Sequence, residues 1–255
     1  MAEISAAVRA DDAGVRWWEP IVALVGGNAI ALATAVVGEI VVLIGFAMRR
    51  SNIDVAAIAQ TFPVLMGTLA LNNLATFSLS WWLAWRRVRP ALAAYFPAVG
   101  ASALTMAALS GVAISFAING GNTLLDRLGV VHFESTTFEI AMMPHGILQF
   151  VVCAVVVGLI APAAEEFVFR GLLLRWLKSA MGVAGAILIS ALVFGLIHAE
   201  FFFHWGAQGA LFTLELVLAG AVLAIWVQRT GSLRASFACH AAYNLTATLL
   251  GLFFP

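Results

Sequence analysis

Residues 150–171 read FVVCAVVVGLIAPAAEEFVFRG, an apolar run that ends in two adjacent carboxylates and an arginine. The run does not alternate as a barrel strand would. With its apolar flanks it reaches the length of about 20 residues that a helix needs to cross hydrocarbon. Seven stretches of this kind can be drawn, at 22–47, 62–85, 93–118, 145–168, 183–203, 207–228 and 235–254. The expected fold is therefore all-α, a polytopic transmembrane bundle of seven or eight helices. Composition agrees: 63% of residues are hydrophobic and 10% charged, where a soluble domain carries about 25% charged residues. The excess apolar surface must face lipid. Zero net charge and the lack of a basic tail give no footing for a nucleic-acid partner.

Cys153 and Cys239 both lie in apolar segments and read as small core residues rather than a disulfide or metal pair. Residues 1–19 are polar, lack the apolar region of a cleavable signal peptide, and end near an interfacial Trp17-Trp18 pair. No solenoid-type repeat is visible. The largest polar connection, 119–144, carries Asp126, Arg127, Glu134 and Glu139 and is expected to be a loop with an interfacial helix.

Orientation follows the Lys/Arg bias. Arg86, Arg87 and Arg89 fall between the second and third helices, Arg170, Arg175 and Lys178 between the fourth and fifth, and Arg229 and Arg234 between the sixth and seventh. These connections share one side, which is read as cytoplasmic. The loop AEFFFHWGAQ, 199–208, has neither Lys nor Arg, as an outer loop should. Arg49 and Arg50 disagree, so either 49–61 lies in the interface or the N-terminal helix count is wrong. Trp176, Phe201 to Phe203, Trp205 and Trp226 read as interfacial anchors.

Ionisable groups inside membrane helices are expensive and default to functional candidates. Three constellations qualify. In the first, Glu166 and Arg170 sit four apart on a helix and can pair, while Glu165 points about 100° away. One carboxylate is then neutralised and the other left free for work as a base, unless all three simply cap a helix at the interface. The second is His198 in FGLIHAE, 194–200. With a turn near Met181-Gly182, Glu165 lies about 16 residues before it and His198 about 16 after, so at 1.5 Å per residue they share one depth. A carboxylate and an imidazole so matched can hold a water, activating it directly or through a metal. The third is CHAAYN, 239–244, in which His240 and Asn244 share a helix face. These two suit hydrogen-bond donation to a developing oxyanion, or a plain tie between helices. Glu215 is also about 16 residues from the Gly231 turn and could line the same cavity. Glu39, Asn28, Asn72 and Asn73 read as interhelical hydrogen-bonding groups. His132, His145 and His204 lie in or near outer connections and receive no catalytic role.

Glu-Glu-x-x-x-Arg at 165, 166 and 170, Phe-x-x-x-His at 194 and 198, and His-x-x-x-Asn at 240 and 244 follow one another on successive membrane segments. In that order they resemble the CPBP family, the CAAX proteases and bacteriocin-processing enzymes also called the Abi family, related to the Ras-converting enzyme. The resemblance spans about 145–250 and divides the chain into a polar tail at 1–19, N-terminal membrane helices and loops at 20–144, and a catalytic helical core at 145–255. It implies an intramembrane endopeptidase in which Glu165 and His198 activate the attacking water. Glu166 paired with Arg170 would hold the site in shape, and His240 with Asn244 would form the oxyanion hole. Members have been described both as metalloproteases and as glutamate proteases. The expectation leans to the metal-dependent label, with Glu165, His198 and His240 as the ligands if Zn2+ binds.

The implied substrate is a prenylated CAAX tail or another membrane-bound peptide, met in an integral protein of a prokaryotic plasma membrane with its site open to the cytoplasm. If Arg170 and Arg175 mark the interface, Glu165 lies about 7 Å or a little more inside it. Two alternatives stay open: a non-proteolytic scaffold of the same fold, and a small transporter relaying protons through Glu39, Glu165 and Glu215. The transporter ranks last for want of paired repeats.

Overall fold

The computed structural model describes residues 14–49, 61–87, 94–198, 204 and 206–253. The readings placed on 1–13, on Arg50 and the 51–60 stretch, on Arg89, on Phe201 to Phe203 and on Trp205 fall outside the described residues, as does the side chain of Glu39. Among the described residues there is no strand. Three long helices open the chain: α1 (Trp18–Arg49), α2 (Phe62–Arg87) and α3 (Ala101–Arg127). A short α4 (Thr137–Met142) follows, and then a long rod, α5, occupying 147–181. Gly182 breaks the rod at φ 79°, a left-handed value that glycine tolerates without steric cost. Beyond it lie α6 (183–197), α7 (Ala207–Thr230) and α8 (Leu233–Phe253). Gly231 ends α7 in the left-handed conformation, its N–H donating to Val227 O. Both turns thus fall at the glycines that the sequence marks.

Phe62–Arg86, Ala101–Arg127, Ile147–Ile197 (α5 and α6 together) and Ala207–Thr230 are long and apolar enough to cross a membrane. Large apolar side chains such as Leu109, Phe116, Leu188 and Leu214 stand exposed on outward faces, as lipid contact requires. The architecture is a helical membrane bundle. Its α8 is less apolar because one face carries Ser236, His240 and Asn244.

Two expected boundaries move. The third helix, drawn at 93–118, runs from Ala101 to Arg127. Its polar residues read as loop but satisfy themselves against the helix: Asn119 Nδ2 donates to Ser115 O and Thr123 Oγ1 to Asn119 O, each at 2.8 Å. The polar connection shrinks accordingly and contains α4, which starts at a capping box formed by Thr136 and Glu139. The fourth helix, drawn to end at 168, continues to 181 because Arg170 is neutralised inside the bundle and does not stop it.

Small residues set the closest helix approaches, as expected where lipid removes most of the hydrophobic drive between helices. Gly27 admits Thr76 between α1 and α2, Gly195 admits Thr213 and Val217 of α7, and Gly111 of α3 lies on Cys239 of α8. A Cβ at Gly111 would overlap the Cys239 carbonyl oxygen, a backbone atom that cannot step aside. Gly111→Ala is expected to lower stability by about 1–3 kcal/mol through overpacking. A thermal melt in detergent checks this, and an unchanged midpoint would contradict the close α3–α8 contact.

The segment after α2 folds onto the turn before α8. Tyr95 O accepts from Leu233 N at 2.9 Å and Pro97 O from Ser232 Oγ at 2.9 Å. Arg175 joins them, donating to Ala94 O at 3.2 Å with its guanidinium 4.0 Å from the centroid of the Tyr95 ring. The α2–α3 and α7–α8 connections therefore share one side, as the charge pattern required. Beneath them Phe167 packs among Phe77, Trp81, Tyr95 and Phe96, fixing the face of α5 next to the motif.

Candidate active site

The α5 rod is not a regular α-helix where it carries the motif. Two π-helical segments, Val156–Ile160 and Glu166–Leu173, flank the single α-turn Ala161–Glu165. Such widened turns disturb the usual i→i−4 ladder, so carbonyls within them can bond to neighbouring elements, and they recur at functional sites. Val157 O accepts from Asn244 Nδ2 of α8 at 2.8 Å. This bond ties α5 to α8 on the N-terminal side of the Glu165-Glu166 pair.

Glu166 is fully enclosed and neutralised. Its Oε1 lies 3.1 Å from Arg170 Nη1 and 2.9 Å from His240 Nδ1, and its Oε2 accepts from Ser236 Oγ. Arg170 is equally enclosed. Its Nη2 donates to Gly220 O of α7 at 3.1 Å, and its guanidinium lies 4.4 Å from the centroid of the Phe194 ring. Nε and Nη1 make no well-formed hydrogen bond, so Nη1 meets Glu166 as an ion pair and the aromatic face covers the rest. Arg170 is 0% exposed. It is held inside the bundle and does not reach solvent. A guanidinium paired this way costs less inside the bundle than an isolated charge, which is why the residue sits where an arginine reads as a boundary.

Glu165 differs from its neighbour. Its side chain keeps 23% exposure and that of His198 keeps 28%, against 2% for Glu166. The sequence spacing had left this carboxylate free, and the structure leaves it open to a cavity. Glu165 Oε2 lies 3.8 Å from His198 Nε2 and 3.6 Å from His240 Nε2. These gaps are too wide for direct hydrogen bonds and suit a shared water. Both imidazoles are oriented by their other nitrogen. His198, at the end of α6, contacts Phe194 O through Nδ1 at 2.6 Å. The carbonyl can only accept, so Nδ1 carries a proton, which leaves Nε2 directed towards Glu165. His240 is held through Nδ1 by Glu166, so the buried ion pair aims the second histidine.

Glu165, His198, His240 and Asn244 line one cavity of about 320 Å3 whose other walls are mostly apolar, among them Leu69, Met142, Val157 and Leu223. The structure thus brings all seven motif residues together, five at the cavity with Phe194 among them, and Glu166 and Arg170 behind it. Glu215 lines a neighbouring cavity of about 310 Å3, where Asn122 Nδ2 donates to it at 3.3 Å. The two cavities share Ile114 and Ala219. His204 contacts Glu139 at 3.1 Å in the outer connection and exposed His132 lies beside Asp126, both away from this cavity. Asn72 Nδ2 reaches Asn28 Oδ1 at 3.2 Å, an interhelical bond, whereas Asn73 bonds back to Leu69 O of its own helix. Ser236 was missed. Its signal was present, four residues before His240 on the same face as Asn244.

For zinc, bonds of about 2.0–2.2 Å in a tetrahedron put donors about 3.3–3.6 Å apart; the Glu165–His240 separation of 3.6 Å meets that spacing and the Glu165–His198 separation of 3.8 Å is slightly wider. Among the described residues no group of three His, Cys, Asp or Glu meets a metal ion's geometry.

Residues 129–246, which include every motif position, match the family described as type II CAAX prenyl endopeptidase Rce1-like. No curated protein and no solved structure matches the chain.

Proposed function

We propose, from the match of residues 129–246 to the Rce1-like CAAX endopeptidase family, that the protein is an intramembrane endopeptidase in which Glu165 and His198 activate water. The observation that carries this reading is the open carboxylate of Glu165 facing two histidines whose other nitrogens are already committed. A water between Glu165 Oε2 and His198 Nε2 gives a hydrogen bond to each and keeps its lone pairs for attack. As its oxygen bonds to the scissile carbonyl carbon, one proton passes to Glu165. The oxyanion forms on the side of His240 and Asn244. Asn244 Nδ2 has a second hydrogen beyond the one given to Val157 O. His240 in its doubly protonated form would give Nδ1–H to Glu166 and Nε2–H to the oxyanion. Collapse breaks the C–N bond, and the proton held by Glu165 goes to the departing nitrogen.

The mostly apolar cavity favours a substrate that is itself membrane-bound, a prenylated CAAX tail or a peptide on a membrane anchor. The test is peptidase activity of the purified protein on prenylated and unprenylated C-terminal peptides, beside His198→Ala. Cleavage by the parent and its loss in His198→Ala are expected; equal cleavage by both would remove His198 from the step. Because the step uses these side chains alone, a strong chelator is expected to leave the rate unchanged. A rate lost on chelation and restored by zinc would contradict that.

A further inference from the structure

A second, smaller pocket of about 160 Å3 meets the same two residues from the N-terminal helices. It shares Glu165, His198 and Leu69 with the main cavity but touches neither His240 nor Asn244. Its polar wall is Asn28 of α1 with Asn72, Asn73 and Thr76 of α2. These helices lie outside the region matched to the family, and their asparagines have no part in the mechanism above. Three primary amides and a hydroxyl on two membrane helices are costly unless they have partners. Asn28 and Asn72 bond to each other, yet Asn72 Oδ1 is buried and has no hydrogen-bond partner among the described residues.

The placement on the far side of the Glu165–His198 pair decides the use. The groups suited to an oxyanion line only the main cavity, so a scissile carbonyl belongs there. A substrate seated in that mostly apolar cavity obstructs it, and hydrolysis consumes one water per turnover. The small pocket offers donors and acceptors but no charge beyond those of the catalytic pair, and it has room for several waters. We infer that the Asn28–Asn72–Asn73–Thr76 pocket is a water inlet, binding water beside Glu165 and His198 and resupplying them while substrate fills the main cavity. What this water serves rests on the peptidase reading. The inlet itself is a property of the bundle that can be tested without activity.

The first test is thiol accessibility in membranes. Asn72→Cys and, as a lipid-facing control on the same helix, Leu74→Cys are made in a Cys153→Ala/Cys239→Ala background. Each is treated with a small, charged methanethiosulfonate. Only thiolate reacts, and thiolate needs water, so Asn72→Cys is expected to label at least roughly tenfold faster than Leu74→Cys. Equal rates would overturn the inlet whether or not the protein cleaves peptides.

The second test keeps both native cysteines. Thr76→Val removes one polar wall group at nearly constant volume, and is expected to lower kcat roughly tenfold with KM unchanged, the signature of a group that does not hold substrate. A rise in KM at unchanged kcat would mean that the pocket binds the peptide itself, and would overturn the proposal. Labelling as expected beside a wild type that cleaves nothing would support the inlet and count against the peptidase reading alone.

Discussion

Glu165→Gln is expected to lower turnover by about 10²- to 10⁴-fold, the range that a well-placed general base contributes, while leaving the fold intact. The amide has the same shape and can still hydrogen-bond to a water, but it cannot take the water's proton. Stability should be preserved because Glu165 makes no contact closer than 3.6 Å with either histidine and keeps 23% exposure to the cavity. Melting in detergent and turnover on a cleaved peptide separate the two effects. A variant that melts early and is inactive would shift Glu165 from a catalytic to a structural account.

Arg170→Leu is expected to do the reverse, acting on the fold first. Removing one partner of a buried pair leaves the other charge uncompensated, at a cost of about 3–5 kcal/mol. Here the stranded group is Glu166, 1% exposed, which also aims His240 and accepts from Ser236. The variant should melt earlier and lose activity with it. Glu166→Gln combined with Arg170→Leu removes both charges and is expected to recover part of the lost stability, but not the activity, since the carboxylate that orients His240 is gone. Wild-type melting of Arg170→Leu alone would mean that the ion pair does not hold the bundle together.

Much of this site is readable from sequence because a chain so poor in charge makes each intramembrane ionisable residue conspicuous. Glycines at 182 and 231 punctuate the helices, and counting from Gly182 set Glu165 and His198 at one depth; the two now face each other at 3.8 Å. The division between a neutralised Glu166 and an open Glu165 followed from four-residue spacing. What stayed hidden depends on contacts between elements. Arg170 looks like a boundary residue until its carboxylate, carbonyl and aromatic neighbours from α5, α6 and α7 are assembled around it. Asn119 and Thr123 look like loop until they bond back to their own helix. The π-helical turns of α5 have no composition that announces them. Spacing alone could not show that Glu166 reaches His240, or that asparagines on α1 and α2 close around the back of Glu165.

The most direct measurement is the mass of the product formed in H2 18O by the wild type and by Glu165→Gln, on a farnesylated CAAX peptide in detergent. The expected result is a single new cleavage product from the wild type, with one 18O in its new carboxyl group, and no such product from Glu165→Gln at matched times. The same labelled product from Glu165→Gln at the wild-type rate would contradict the assignment of Glu165 as the base that activates water.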